Sequence, residues 1–500
     1  LTRLSLWFLA FSLLTGCSKK EESGTFRISF NVYPNTWNPQ EVGDFASSTL
    51  ICMLYEGLTR CGSDGTIEPG LAEACEISDD QKIYRFRLRE AYWSDGTPIT
   101  ASDFERSWKK AFKPVGPNAY LFYPIKNCER CAKGEVGVEM LGIKALDEKI
   151  LEVELEQPTS YFYSLTAFPS FMVYREEGIF SGPFCIDFMK LNDKIVLTKN
   201  EQFWNQSQTR VQKVEIHILP DEMTALQMFE RGELDWLGGS FSPLPIDALD
   251  QWKDRLIFLP SAATTFCTFN TEKGPFQNVH LRKAFSYAIN RREIIDKILQ
   301  GGQTPPTSVL PPALSKTCFS LTNPLLAQKE RQMCQEIGKI ELLFKGTQVE
   351  RRLAQVLQQQ WKEVLGIEVE LVQVDFKTHA QRLQERNYQI ALGSWIAQFH
   401  DPISILERFK DRRHLKNFSG WENREFTQLL ELAARSENRE DLFQKAEELL
   451  ASELPLTPLY HWSVPTLCNP RVERVIATPC GGILFDKVKM NPCKKFLNRP

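Results

Sequence analysis

Long apolar runs are scarce in these 500 residues, and the most continuous one, Leu4 to Leu14, falls short of the roughly 18 residues needed to cross a hydrocarbon core. A membrane-spanning protein is therefore not expected. Catalytic signatures are absent as well: no GxSxG elbow, GxxxxGK[ST] phosphate loop, HExxH metal helix or GxGxxG fingerprint occurs. Their absence argues against the enzyme classes that depend on them. The six histidines, at 217, 280, 379, 400, 414 and 461, are scattered without ligand spacing, which argues against a metal centre. A formal charge of -3 with no long Lys/Arg cluster leaves no electrostatic footprint for nucleic acid. Internal repeats and long low-complexity tracts are missing too.

What is present begins with a targeting signal: Arg3 supplies a positive charge, Leu4 to Leu14 a short apolar stretch, and Thr15-Gly16 small residues before Cys17. The tetrad Leu14-Thr15-Gly16-Cys17 resembles the bacterial lipobox, which implies cleavage before Cys17 and lipidation of its thiol. Residues 18–24 are polar and charged and suit a flexible tether. The remaining chain exceeds what one core usually supports, so two or three domains are expected, and 42% apolar residues suffice to fill them.

Thirteen cysteines, twelve once Cys17 is set aside, in an apparently exported chain make several disulfides plausible. Cys128-Glu129-Arg130-Cys131 is a CxxC, open to three readings: a redox pair, half of a zinc site or a local disulfide. A second pair for zinc is missing, and the motif is expected in a polar loop before Lys133-Gly134, which favours a structural role.

Ser29 to Tyr33 is expected to open the mature chain as a strand, and Tyr84 to Leu88 and Ile150 to Leu155 alternate with period two. Thr100 and Asp103 form an approximate capping box before Phe104, Trp108 and Ala111 on one helical face. The stretch 51–180 thus reads as its own α+β unit. Val214 to Ile218 predicts a strand, Asp221 to Arg231 a helix ended by Gly232, and His280 to Leu299 one long helix. Between 340 and 395 strands and helices alternate: Ile340 to Phe344, a stripe from Leu353 to Leu365 closed by Gly366, then Ile367 to Leu371, Thr378 to Arg386 and Tyr388 to Trp395. Such alternation predicts an α/β unit with a largely parallel sheet, whose ligands sit at the carboxyl ends of the strands, where Trp395 to Asp401 falls.

Several blocks carry a family resemblance: Tyr55-Glu56-Gly57-Leu58, Pro69-Gly70-Leu71-Ala72, the run WSDGTPITASDF from Trp93 to Phe104, Gly232-Glu233-Leu234-Asp235, PFQNVHLRKAF from Pro275 to Phe285, and His400-Asp401-Pro402. In this order they closely resemble the peptide/nickel family of extracellular solute-binding proteins, above all its oligopeptide binders. The resemblance covers nearly the whole mature chain. It implies an α/β, two-lobed periplasmic-binding-protein fold with an extra α+β domain inserted in the N-terminal lobe. By that likeness residues 1–17 are the lipoprotein signal and 18–24 the tether. Lobe I comprises 25–50, 181–262 and 468–500, the added domain 51–180, and lobe II 263–467.

The implied activity is capture of short peptides between closing lobes and delivery to the permease subunits of an ABC importer. The chain would be a monomer, held on the outer side of the cytoplasmic membrane by the lipid on Cys17, without cofactor or catalysis. The candidate ligand contacts are Asp44 after the first strand, Phe266 and Thr268 near the hinge crossing, and Trp395, Gln398 and His400 from the second lobe. One departure stands out. Oligopeptide binders of this family commonly carry A-D-Y/F-x-D/E-P, whose Asp pairs with the ligand's α-ammonium, whereas Ala397-Gln398-Phe399-His400-Asp401-Pro402 puts a neutral Gln398 there. A displaced carboxylate (Asp44 or Asp401), a different binding mode, or a non-peptide or modified-peptide ligand such as a cell-wall peptide, a metal chelate or haem would account for it. An exported thiol-disulfide enzyme using Cys128 and Cys131, or a lipoprotein chaperone, stands as the alternative from another class.

Overall fold

The computed structural model describes residues 24–176, 178–335, 337–397, 399–436, 438–478 and 482–491. Cys17, the tether up to Ser23 and Gln398 lie outside the described residues.

The first strand is Thr25–Phe30, a few residues earlier than the sequence pattern suggests, because Phe26, Ile28 and Phe30 are the residues that bury. It runs parallel to Lys213–Ile218, matching Phe26 with Val214 and Ile28 with Ile216, and Lys194–Lys199 and Phe184–Lys190 extend the sheet antiparallel. Period-two burial on these strands gives one apolar face. Leu50, Ile51 and Leu54 of helix Phe45–Leu54 cover it, joined by Val472, Phe485 and Val488 from the far end of the chain.

A second, antiparallel sheet is ordered Ala72–Ile77, Ile83–Leu88, Ile150–Glu154, Ile143–Ala145. Helix Ala101–Lys110 packs on this unit and starts with the expected capping box between Thr100 and Asp103. Its Trp108 is buried edge-on against Phe104, Phe122 and Phe171, and the indole N–H donates to the Phe171 carbonyl at 2.9 Å. An aromatic cluster whose one polar atom is satisfied makes a stiff local core.

The third sheet is ordered Trp236–Gly238, Leu456–Cys468, Ile257–Phe269, Ile390–Ile396, Ile340–Lys345, Val369–Val374. It is mixed, which corrects the expectation of a largely parallel sheet. Ile340–Lys345 is parallel to both Val369–Val374 and Ile390–Ile396, as the alternating pattern requires, but two 13-residue strands, Ile257–Phe269 and Leu456–Cys468, pair antiparallel beside them. The register of these two long strands shifts between Pro260 and Thr264 and again between Thr265 and Phe266. The fold is thus α/β and two-lobed, with an added α+β unit.

The helix expected from His280 to Leu299 is broken. Val279–Tyr287 ends, Asn290 caps a new turn by accepting from the Glu293 amide, and Ile294–Leu299 continues with π-type turns. Arg291 explains the break: its buried guanidinium donates to the carbonyls of Ser286 and Ile289, acceptors that a continuous helix would use, and is held there by the Pro458 carbonyl of strand Leu456–Cys468. Among the described residues no helix is long and apolar enough to cross a membrane.

Candidate functional site

Strand Ile390–Ile396 pairs along its whole length with Ile257–Phe269, from Ala263 opposite Ile396 to Phe269 opposite Ile390. On its other side Ile340–Lys345 pairs only with Ile390 and Ala391, and the His379 ring meets the Leu392 backbone. Gly393–Ile396 therefore has a strand edge without a strand partner among the described residues. Burial follows the same division: residues 390–392 are buried, Gly393 is half-buried and Ser394 exposed. An unpaired edge presents backbone N–H and C=O groups to whatever lies beside it.

Trp395 lies on this segment, 8% exposed, with its ring edge-on to Phe266 at 4.4 Å and tilted against Phe409 at 5.4 Å. Phe266 is buried beneath it. Thr268 is buried between Ala391 and Leu456 within the sheet, so it supports the strands and lies away from the Gly393–Ile396 edge. A polar row crosses the sheet from Ser394 through Thr265, 2.7 Å apart at their hydroxyls, to Trp462, whose indole donates to Thr265 at 2.8 Å.

Residues 160 and 161 reach across to the segment that follows this strand. Tyr161 stacks on Phe399 with centroids 5.4 Å apart and planes at 11°, its hydroxyl donates to the Glu407 carboxylate at 3.3 Å, and the Ser160 amide donates to the Ala434 carbonyl at 3.2 Å. Burial pushes the Glu407 carboxyl up from its ordinary range. Nearby, the Arg408 guanidinium lies over the Trp395 ring, 4.5 Å from its centroid. His400 donates from Nε2 to the Ala313 carbonyl at 2.8 Å, which fixes its tautomer as Nε2–H.

The two carboxylates that could replace the missing clamp are both engaged. Asp44 caps helix Phe45–Leu54, accepting from the Ser47 amide at 2.8 Å and hydroxyl at 2.7 Å and from Asn35 at 3.1 Å. Asp401, 7% exposed, accepts two bonds from Arg439 at 2.6 and 3.0 Å and a third from the Ile403 amide. The structure therefore brings Trp395 and Phe266 together at the open edge, while His400 is held on the Ala313 carbonyl. Asp44 sits at the start of helix Phe45–Leu54, and Gln398 lies outside the described residues.

Cys128 and Cys131 occupy one helical turn, Cys128–Ala132, and not the loop expected from the sequence; both are buried and unbridged. Burial raises both thiols above their ordinary value. A thiol-disulfide enzyme needs the opposite, a lowered and accessible thiol. The ten described cysteines are all unpaired, so the suggested bridges are not found among them. No group of three or more His, Cys, Asp or Glu among the described residues could hold a metal ion.

Sequence reasoning missed Tyr161, Glu407, Arg408 and Arg439. The acidic and basic residues among them sit in charged stretches that read as solvated faces.

Comparison with known proteins adds the family context. Residues 66–417 match the profile of bacterial extracellular solute-binding proteins, family 5 Middle. The chain is 32% identical to the oligopeptide-binding protein OppA of Bacillus subtilis, with 94% of each chain covered. In structure it is similar to OppA of Listeria monocytogenes bound to peptide, with a TM-score of 0.76 and 25% identity over 93% of this chain and 99% of that one. It also resembles the unliganded open form of the periplasmic murein tripeptide-binding protein MppA, with a TM-score of 0.81 and 24% identity over 94% and 98% of the two chains.

Proposed function

The chain belongs to the family 5 bacterial extracellular solute-binding proteins, and from that premise we propose that it captures short peptides between its lobes for an ABC importer. The observation that carries this reading is the open edge at Gly393–Ile396, at the carboxyl end of its strand and beside Trp395. An extended peptide laid on that edge gains main-chain hydrogen bonds whatever its side chains are, as in strand addition. Contacts made to both lobes at once favour the closed state over the open one. A micromolar ligand would need about 8 kcal/mol from this arrangement.

The assignment of lobe I to 25–50, 181–262 and 468–500, the added domain to 51–180 and lobe II to 263–467 is part of the same proposal. So are the lipid on Cys17, the monomeric state, delivery to permease subunits, and ligand contacts by Trp395, Phe266, His400, Thr268, Gln398 and Asp44. Among these, Trp395 has the strongest support and Thr268 the weakest, given its place inside the sheet.

A second reading, a ligand without a free α-ammonium, is favoured by one observation: both Asp44 and Asp401 are already occupied by neighbours of their own. An amino-blocked or cell-wall peptide would not need the clamp. Native mass spectrometry of the chain purified from a peptide-rich host, before and after mild denaturation, tests both. Bound masses of two to five residues support the peptide reading, and their amino-end chemistry separates the two forms. No bound peptide, together with no thermal shift from a mixed peptide library, would overturn it.

A further inference from the structure

Between Leu299 and Pro324 the chain forms neither helix nor strand. This strap is nevertheless buried in its middle, where Val309, Leu310 and Leu314 join the core that holds Trp395, Phe399 and Ile405. Its hydroxyls converge on one group. Ser308, Ser315 and Thr317 all donate to the Glu447 carboxylate of helix Glu440–Glu453, Ser315 at 2.6 Å and Thr317 at 3.1 Å. Ser308 is 2% exposed and Glu447 3%, so this carboxyl is held out of water.

No cation accompanies it among the described residues, and the charged groups of the elements packed on its helix are engaged elsewhere or exposed. Lys316 of the strap stands at the surface near Glu440, 3.9 Å away. On Val279–Tyr287, Arg282 donates to the Glu453 and Phe276 carbonyls, His280 meets Glu330 at 2.6 Å, and Lys283 is half-buried. On Arg424–Ala433, Arg424 and Glu425 are exposed and Glu431 faces Lys410 at 3.8 Å. On its own helix Glu440, Asp441, Lys445 and Glu448 are exposed, and Glu453 accepts from Trp421 and Asn423. None of these acts on the Glu447 carboxyl: burial raises it, the three hydroxyls lower it, and burial prevails.

An ionised carboxylate buried without a cation is costly even when hydrogen-bonded, whereas the neutral carboxyl fits the same nest of hydroxyls, each able to donate or accept. A segment without ladder bonds also opens more cheaply than a strand or helix. The strap reaches one of the candidate ligand contacts as well, since its Ala313 carbonyl accepts from His400 at 2.8 Å.

We propose that Glu447 is the pin of a pH-sensitive flap: the 305–320 strap closes on the neutral carboxyl and lifts from the ionised one, and the Ala313–His400 bond carries that movement to the peptide site. The flap itself stands apart from the peptide-binding reading, and its effect on the site rests on that reading. In the lifted strap the carboxyl meets water and loses its proton near the ordinary value of 4.5, whereas the pinned carboxyl keeps it to higher pH. Closure is therefore strongest below the lower midpoint, weakens as pH rises to the higher one, and is constant above it.

Hydrogen exchange of the full chain, read by mass spectrometry from about pH 4.5 to 8 and corrected for the intrinsic rate, measures the opening. Protection over 307–320 is expected to fall as pH rises, by about ten-fold for each unit between the two midpoints, while helix Gln348–Leu365 stays unchanged. In Glu447→Gln, a neutral isostere, protection is expected to stay high at every pH. Constant protection in the wild-type chain overturns the pin, and this arm needs no variant to fold; a wild-type decline in Glu447→Gln overturns it equally. Calorimetric titration with tri-alanine over the same range tests the coupling, with affinity expected to weaken across the window in the wild-type chain and stay flat in Glu447→Gln. Flat wild-type affinity beside falling protection overturns the coupling and leaves the pin standing. Absence of binding at every pH overturns the peptide reading instead.

Discussion

Asp401→Asn separates a structural carboxylate from a ligand clamp. Asp401 is 7% exposed and accepts from Arg439 at 2.6 and 3.0 Å, while its Oδ1 also takes the Ile403 amide at 3.0 Å. Removing one partner of a buried pair costs about 3–5 kcal/mol because the other charge is left stranded. Here the Arg439 side chain is 21% exposed, so water recovers part of that, and the new amide oxygen can still take the Ile403 N–H. The expected loss is about 2–3 kcal/mol. For a cooperative unit of roughly 150–250 residues this lowers the melting midpoint by about 4–12 °C. Differential scanning calorimetry of Asp401→Asn, Arg439→Gln and the double variant gives the coupling, expected at about 1.5–3 kcal/mol. Affinity for a neutral tripeptide should remain within a few-fold. A midpoint shift below about 2 °C combined with a large loss of peptide affinity would refute the reasoning and return Asp401 to the ammonium site.

Three further outcomes are expected. Glu56 is 5% exposed and shares Arg60, at 3.4 Å, with the nearer Asp486 at 2.6 Å, and burial outweighs Arg60 to raise its carboxyl to about 7. The unfolded chain loses this proton near pH 4.5 and the folded one near 7, so stability falls by about 1–3 kcal/mol across that interval and levels off above it; Glu56→Gln flattens the decline in melting midpoint, and an unchanged slope counts against the assignment. Burial raises the Cys128 and Cys131 thiols, so alkylation at pH 8 followed by peptide mass spectrometry should label them only after denaturation, whereas fast labelling with disulfide turnover would revive the enzyme alternative. Tyr161→Phe strips Glu407 of its hydroxyl donor and should cost about 1–2 kcal/mol in thermal stability; a neutral effect would mean that this contact is not retained in solution.

The helices and strands that were legible in the sequence are those whose pattern is local. Thr100 with Asp103, Asp221 before Glu222–Glu230, and Gly366 at a φ of 68° after Gln348–Leu365 each place a cap where the side chain itself supplies the bond or the permitted angle. The break after Tyr287 was not legible, because its cause, Arg291, acts through the Pro458 carbonyl 167 positions away. The mixed sheet was missed for a similar reason: Ile257–Phe269 and Leu456–Cys468 pair from distant parts of the chain, and local alternation carries no record of that register. At the site, Trp395 could be singled out from its place at a strand's carboxyl end, and the neutral Gln398 from the motif. Arg408 could not, since the run from Arg408 to Lys416 has the composition of a solvated loop, and only the three-dimensional packing shows that its first member lies on an indole.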